Sequence, residues 1–310
     1  MRIVCMGSGG VGGFYGGLLA ALGGCEVAFV ARGAHLAAMR RDGLLIERDG
    51  GRPPVHLPSV EAAEDPAALG RADLVLLAVK LWDTEAAVEA IRPLVGPGTA
   101  VLSLQNGVTK DEVLLRAFGR DALIGGVAYV GTHIARPGVI AQTGPMQRLL
   151  FGEYGGGRSA RAEALLAAAL RAGLEAELHD DIRRVIWQKF VFLVGLSGTT
   201  ATTRGPIGPV RGNPLARGFL EDVIREVVAV GRADGVALAD DEVERAMARA
   251  DAVSPAMTSS LHHDLERGNR LEVPWLAGAV VEIGARHGIP TPCNRAIRDI
   301  LAVHAMGRPQ

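Results

Sequence analysis

From residue 1 to about residue 180, apolar positions fall in short, near-continuous runs separated by stretches with helical spacing. That pattern predicts βαβ units around a mostly parallel sheet whose strands are covered on both faces. Five runs read as strands: Ile3 to Met6, Glu26 to Val30, Asp73 to Val79, Thr99 to Ser103 and Ala122 to Tyr129. Asp83 before Thr84-Glu85 marks one helix start. Thr109-Lys110-Asp111-Glu112 marks another, with the Thr109 hydroxyl expected at the N-cap and Glu112 three residues on. Beyond about residue 180 the strand pattern stops and long amphipathic patterns take over. Asn213-Pro214 and Gly235 bracket one helix there, Pro274 and Gly288 a second, and Thr291-Pro292 and Gly307 a third. The chain therefore reads as an α/β domain over residues 1–178 followed by an all-α domain over residues 179–310.

The turn after the first strand changes this from a fold reading to a functional one. Gly7-Ser8-Gly9-Gly10-Val11-Gly12 joins that strand to the apolar helical stretch Phe14 to Leu22, which is the context a Rossmann-type dinucleotide site requires. Gly7 permits the tight turn, Gly9 lets a pyrophosphate approach the backbone, and Gly12 allows close helix–strand packing beneath a positive helix end. All six residues of the turn are expected to line the cofactor. A flexible turn is the competing reading in a chain with 41 glycines. The second strand ends Phe29-Val30-Ala31-Arg32-Gly33. A fold that prefers NAD places a carboxylate here, which would repel a 2′-phosphate, whereas a guanidinium pairs with it. Arg32 therefore points to NADPH, against the alternative of a solvated surface arginine.

Ligands of open α/β sheets sit beyond the carboxyl ends of the strands. Lys80, after Asp73 to Val79, and Asn106, within Gln105-Asn106-Gly107, occupy that position, although a strand-end lysine and a turn asparagine need no function. In the second half, Lys189 stands in the apolar stretch Val185 to Leu193. Burial lowers a lysine's pKa and suits it to protonate an alkoxide formed as hydride reaches a carbonyl carbon; the alternative is a lysine that snorkels to the surface. Glu272, before Pro274, could orient a lysine or accept a substrate hydroxyl, or simply favour a helix N-terminus. His262, His263, Asp264 and Glu266 have no distant partner motif, so no metal site is expected.

Composition narrows the partners. Lys plus Arg (33) nearly balance Asp plus Glu (34), so no global field draws the chain to nucleic acid or an anionic membrane. With 48% hydrophobic and 22% charged residues it has the make-up of a globular protein, and no apolar run approaches the length of a membrane span. The absence of a signal-peptide core, and three cysteines (Cys5, Cys25, Cys293) without metal or redox spacing, predict a cytoplasmic protein. A homodimer is the base-rate expectation.

Taken together, Gly7-x-Gly9-x-x-Gly12, Leu77-Ala78-Val79-Lys80, Gln105-Asn106-Gly107, Trp187-Gln188-Lys189, Ser259-Ser260 and Leu271-Glu272 resemble the ketopantoate reductase family over nearly the whole chain. The resemblance implies a Rossmann domain that binds NADP, a helical domain for substrate and dimerisation, and an active site in the cleft between them. It implies NADPH-dependent reduction of a branched 2-keto acid, with Lys189 as general acid, Glu272 and Ser260 on the substrate, and Lys80 and Asn106 lining the nicotinamide and carbonyl region. Leu193 and Ser197 stand where the family carries substrate-binding asparagines, and Pro274 and Ala277 replace two further polar positions. A leucine cannot hydrogen-bond a hydroxyl, so a less hydroxylated substrate is expected. The alternatives are an oxidoreductase of the 3-hydroxy acid dehydrogenase kind and an NADPH-sensing protein without chemistry.

Overall fold

Ile3, Val4 and Cys5 have no exposed surface, because their strand has a parallel partner on each side and packed apolar side chains over both faces. The computed structural model describes residues 1–308. Two compact units divide the chain: residues 1–106 with 110–182, and residues 107–109 with 183 onward.

The first unit runs β1 (Arg2–Met6), α1 (Gly10–Ala21), β2 (Glu26–Val30), α2 (Gly33–Asp42), β3 (Leu44–Glu47), β4 (Val55–Leu57), β5 (Glu61–Ala63) and β6 (Leu74–Leu77). It continues with α3 (Thr84–Ile91), β7 (Ala100–Ser103), α4 (Thr109–Phe118), β8 (Leu123–Arg136), β9 (Val139–Glu153), α5 (Ala160–Arg171) and β10 (Glu175–Leu178). Strand order is β4-β3-β9-β8-β7-β6-β1-β2-β5, with β10 also on β9. The run from β8 through β5 is parallel; β8 with β9 and β3 with β4 are antiparallel. Alternation along β1 sends Ile3 and Cys5 to one face, with Phe14, Leu18 and Leu165, and Val4 to the other, with Val88, Ile91 and Leu114. Each such fully buried aliphatic side chain contributes about 1.5–3 kcal/mol.

Sequence pattern found the parallel core but not its extension. Five strands are expected and ten are present among the described residues. The expected strand at 122–129 continues to Arg136, and β9 follows as its antiparallel mate. The expected Asp73–Val79 strand is only Leu74–Leu77. At α4 the expected cap does not form: Thr109 lies inside the helix, and its buried Oγ1 has no hydrogen-bond partner.

Beyond Leu178 the described residues form helices only: α6 (Ile182–Thr203), α7 (Ile207–Gly212), α8 (Pro214–Ala233), α9 (Glu242–Ala252), α10 (Ser260–Arg267), α11 (Ala277–His287) and α12 (Pro292–Leu301). Asn213 caps α8 as expected, its Oδ1 accepting from the N–H groups of Leu215 and Ala216 at 3.0 and 3.2 Å. α11 begins at Ala277, because Pro274 belongs to a preceding 3₁₀ turn, Val273–Trp275. Two glycines let α6 pack closely within the second unit. A Cβ on Gly195 would stand 2.8 Å from Ile224 of α8, and one on Gly198 2.6 Å from Ile297 of α12. None of these helices is long and apolar enough to cross a membrane.

Candidate active site

The turn from β1 into α1 is shaped by contacts that only glycine tolerates. Gly7 has φ +94°, and a Cβ on Gly12 would lie 2.2 Å from the Gly7 carbonyl oxygen. A Cβ on Gly10 would come within 2.5 Å of the Thr132 carbonyl oxygen on β8. Gly9 differs: a Cβ there meets no protein atom within 4 Å, so open space faces the backbone at this position. Gly9 is also the N-cap of α1, which has neither a side-chain cap nor an acidic residue in its first turn. The adjacent Ser8 is buried and its Oγ has no partner. Unspent N–H groups, a positive helix end and an orphaned hydroxyl are what an anionic group needs.

His35, on α2, braces this turn. Its Nε2–H donates to the Ser8 carbonyl oxygen at 2.9 Å, while Nδ1 accepts from the Gly138 N–H at 3.0 Å. A backbone N–H aimed at Nδ1 fixes the tautomer. Burial pushes the His35 pKa below its ordinary value, partly offset by the Ser8 bond. No sequence pattern signalled this residue, because both of its partners are backbone atoms in distant segments.

Arg32 is the N-cap residue of α2, three-quarters exposed, with its guanidinium 3.7 Å from the Asp83 carboxylate. Lys80 lies three residues past the end of β6, exposed, with Nζ 5.6 Å from the Trp82 ring centroid. Asn106 follows β7 and is half-buried. β6 and β7 are neighbouring parallel strands with Leu77 opposite Ser103, so Lys80 and Asn106 leave the same end of the sheet.

In the second unit, Lys189, Leu193 and Ser197 occur at four-residue intervals on α6 and share one stripe. Lys189 is half-buried, between the buried and the snorkelling readings of its apolar surroundings. Val185, Ile186, Trp187, Phe190 and Val191 around it are buried, whereas Gln188, Phe192 and Leu193 are, like Lys189, half-buried. Ser197 is fully buried and its Oγ lacks a partner. Glu272 is buried at the start of the Val273–Trp275 turn. Ser260 is exposed as the first residue of α10, while Ser259 supplies the cap, its Oγ accepting from the His262 N–H at 3.1 Å. His262 and His263 diverge: one ring meets the Thr200 carbonyl oxygen, the other the Thr258 hydroxyl.

An α/β unit with an uncapped glycine turn, followed by a helical unit, places the chain in the class of two-part proteins with a Rossmann-type first unit. Residues 3–156 match the family Ketopantoate reductase PanE/ApbA, and residues 181–305 match Ketopantoate reductase PanE/ApbA C terminal. The 2-dehydropantoate 2-reductase of Halobacterium salinarum is 34% identical, covering 97% of this chain and 98% of its own. The crystal structure of a PanE/ApbA family ketopantoate reductase from Ralstonia eutropha superposes with a TM-score of 0.87 at 34% identity, over 98% of each chain. The 2-dehydropantoate 2-reductase from Geobacter metallireducens gives 0.89 at 31% identity, over 98% of this chain and 99% of that one. The chain belongs to the ketopantoate reductase family.

Proposed function

We propose that the chain reduces a branched 2-keto acid to the 2-hydroxy acid with NADPH, 2-dehydropantoate to pantoate or a close relative with fewer hydroxyls. The observation that carries this reading is the open space at Gly9 on an uncapped helix end, in a chain with several 2-dehydropantoate 2-reductases among its near-full-length relatives. In the first unit, the N–H groups at the start of α1 and the Ser8 hydroxyl would hold the pyrophosphate, the Ser8 N–H being spent on the Val30 carbonyl oxygen, and Arg32 would hold the 2′-phosphate. The Arg32 guanidinium, three-quarters exposed and 3.7 Å from the Asp83 carboxylate, is open to that pairing.

When bound, NADPH would supply the hydride that the C2 carbon receives. Negative charge then develops on the carbonyl oxygen, and Lys189 would deliver the proton that completes the hydroxyl. Lys80 and Asn106 would donate to the carbonyl oxygen or carboxylate, and Ser260 and Glu272 would orient the rest of the substrate. Leu193, four residues after Lys189, offers apolar surface. It favours an aliphatic branch over a hydroxylated one, since a buried hydroxyl without a partner costs about 1–3 kcal/mol.

The test is NADPH oxidation with a panel of branched 2-keto acids. Turnover is expected, abolished in Lys189→Ala with NADPH binding retained. Tight cofactor binding with no turnover on any keto acid would favour the sensing alternative, and preserved turnover in Lys189→Ala would remove that residue from the mechanism. We also propose a cytoplasmic homodimer formed through the second unit. The most exposed large apolar side chains, Leu215, Val303 and Met306, all lie there, and light scattering would read twice the 32.4 kDa chain mass.

A further inference from the structure

Where β6 and β7 part beyond the Leu77–Ser103 pair, three buried polar side chains bridge the gap. The Gln105 amide nitrogen donates to Thr84 Oγ1 at 2.8 Å, and Thr84 Oγ1 in turn donates to the Leu81 carbonyl oxygen at 2.7 Å. On the other side, Ser103 Oγ donates to Gln105 Oε1 at 3.1 Å and accepts from the Gln105 backbone N–H at 3.3 Å. The directions are forced. Thr84 spends its only proton on Leu81, so it can receive Gln105 only as an acceptor; the Gln105 amide must therefore present nitrogen to Thr84 and oxygen to Ser103. Ser103, Thr84 and Gln105 are exposed by 1%, 4% and 8%, which makes the chain of bonds strong and leaves it one arrangement.

The bridge joins two turns that are adjacent in space and distant in sequence. One is Lys80-Leu81-Trp82-Asp83, entering α3 at Thr84; the other is Leu104-Gln105-Asn106. We propose that Gln105 and Thr84 are positioning residues, which set Asn106 and Lys80 relative to each other so that both address the same reacting carbonyl group. The inference rests on the reductase reading above. Gln105 and Thr84 touch neither substrate nor cofactor in this scheme; they act through the residues beside them. Misplacement of a donor by about 1 Å can cost on the order of a hundredfold in rate, so a bridge buried behind the site has leverage on turnover.

Steady-state kinetics with NADPH and a 2-keto acid that the parent protein reduces test this, in Gln105→Glu, Thr84→Val and Thr84→Ser. Gln105→Glu keeps the shape but turns an acceptor toward Thr84. Thr84→Val keeps the volume but removes the acceptor, and Thr84→Ser keeps the hydroxyl. The first two should lower kcat about 10–100-fold while NADPH affinity changes less than about threefold. Thr84→Ser should stay within about twofold of the parent, and the Gln105→Glu/Thr84→Val double variant should be no worse than the poorer single, since both break one network. Folded Gln105→Glu and Thr84→Val proteins with parental kcat would overturn the proposal, as would a Thr84→Ser variant as impaired as Thr84→Val. Parent protein inert toward every 2-keto acid would sink the reductase reading and this inference with it. An active parent with an unaffected Gln105→Glu variant would sink this inference alone.

Discussion

The Arg32 guanidinium lies 3.7 Å from the Asp83 carboxylate, both on the surface and linking the end of β2 to the turn before α3. An exposed pair at that distance contributes at most about 1 kcal/mol to stability, so its interest lies in what each charge does to an incoming phosphate. Arg32→Ala should weaken NADPH binding by roughly 10–100-fold and leave NADH nearly unchanged. Asp83→Asn should strengthen NADPH binding by roughly threefold, because it removes a negative charge near the 2′-phosphate. Fluorescence titrations with both cofactors measure the two ratios. Equal losses for NADPH and NADH in Arg32→Ala would show that the guanidinium does not read the phosphate.

Gly9 and Gly12 separate binding from folding. A methyl at Gly12 runs into the Gly7 carbonyl oxygen, so Gly12→Ala should destabilise the first unit by about 1–3 kcal/mol. A methyl at Gly9 meets only open space, so Gly9→Ala should keep the parental Tm while weakening NADPH binding by at least about tenfold. Thermal melts with and without cofactor distinguish them, and parental cofactor affinity in Gly9→Ala would mean the opening does not receive the pyrophosphate.

His35 makes the brace of the glycine turn sensitive to acid. Its folded pKa is held below the ordinary value of 6.5, chiefly by burial, so the unfolded chain binds the proton more readily. The resulting stability is fully present above about pH 6.5 and is lost as pH falls from there through the depressed folded pKa. Protonation of Nδ1 also breaks the bond from the Gly138 N–H. Urea melts of the parent should show a decline below about pH 6.5 that is smaller in His35→Gln. Identical pH profiles for the two proteins would refute the assignment.

Lys110 and Asp111 form an ion pair at 2.8 Å with almost no exposed surface, on neighbouring positions of α4. Lys110→Met leaves a buried carboxylate alone and should cost about 3–5 kcal/mol, whereas Lys110→Met with Asp111→Leu should cost much less. Urea denaturation of the two variants gives the comparison; similar losses would mean that packing, not charge, decides.

What was legible in the sequence is what is continuous and local. β1, the glycine turn and α1 could be read because an apolar run, a loop of fixed spacing and a helical stretch follow one another directly. β9 could not be read: Gln142, Thr143, Gly144, Pro145, Gln147 and Arg148 look like loop, yet Gln142 and Thr143 pair with β8 and Arg148 with β8 and β10 on either side of a register shift. β4 and β5 span three residues each, too short to show an alternation. At the site, Arg32, Lys80 and Asn106 stand out by position after strands, while the Arg32–Asp83 contact and the Gln105–Thr84 bridge depend on turns brought together by the sheet. Lys189 shows the limit in another way. Val185 and Leu193, four residues to either side on the same stripe of α6, are buried and half-buried, a difference that spacing alone does not distinguish.

β9 has β8 along one edge and, along the other, β3 near its start and β10 near its end. Leu45 and its partner Val139 are roughly ninety residues apart, a separation that makes the pairing late and slow. During synthesis the β3–β4 hairpin emerges well before the strand that covers it, and waits with an unpaired edge. The birth of this protein on the ribosome therefore has a vulnerable interval, which ends only when residues 139–141 arrive.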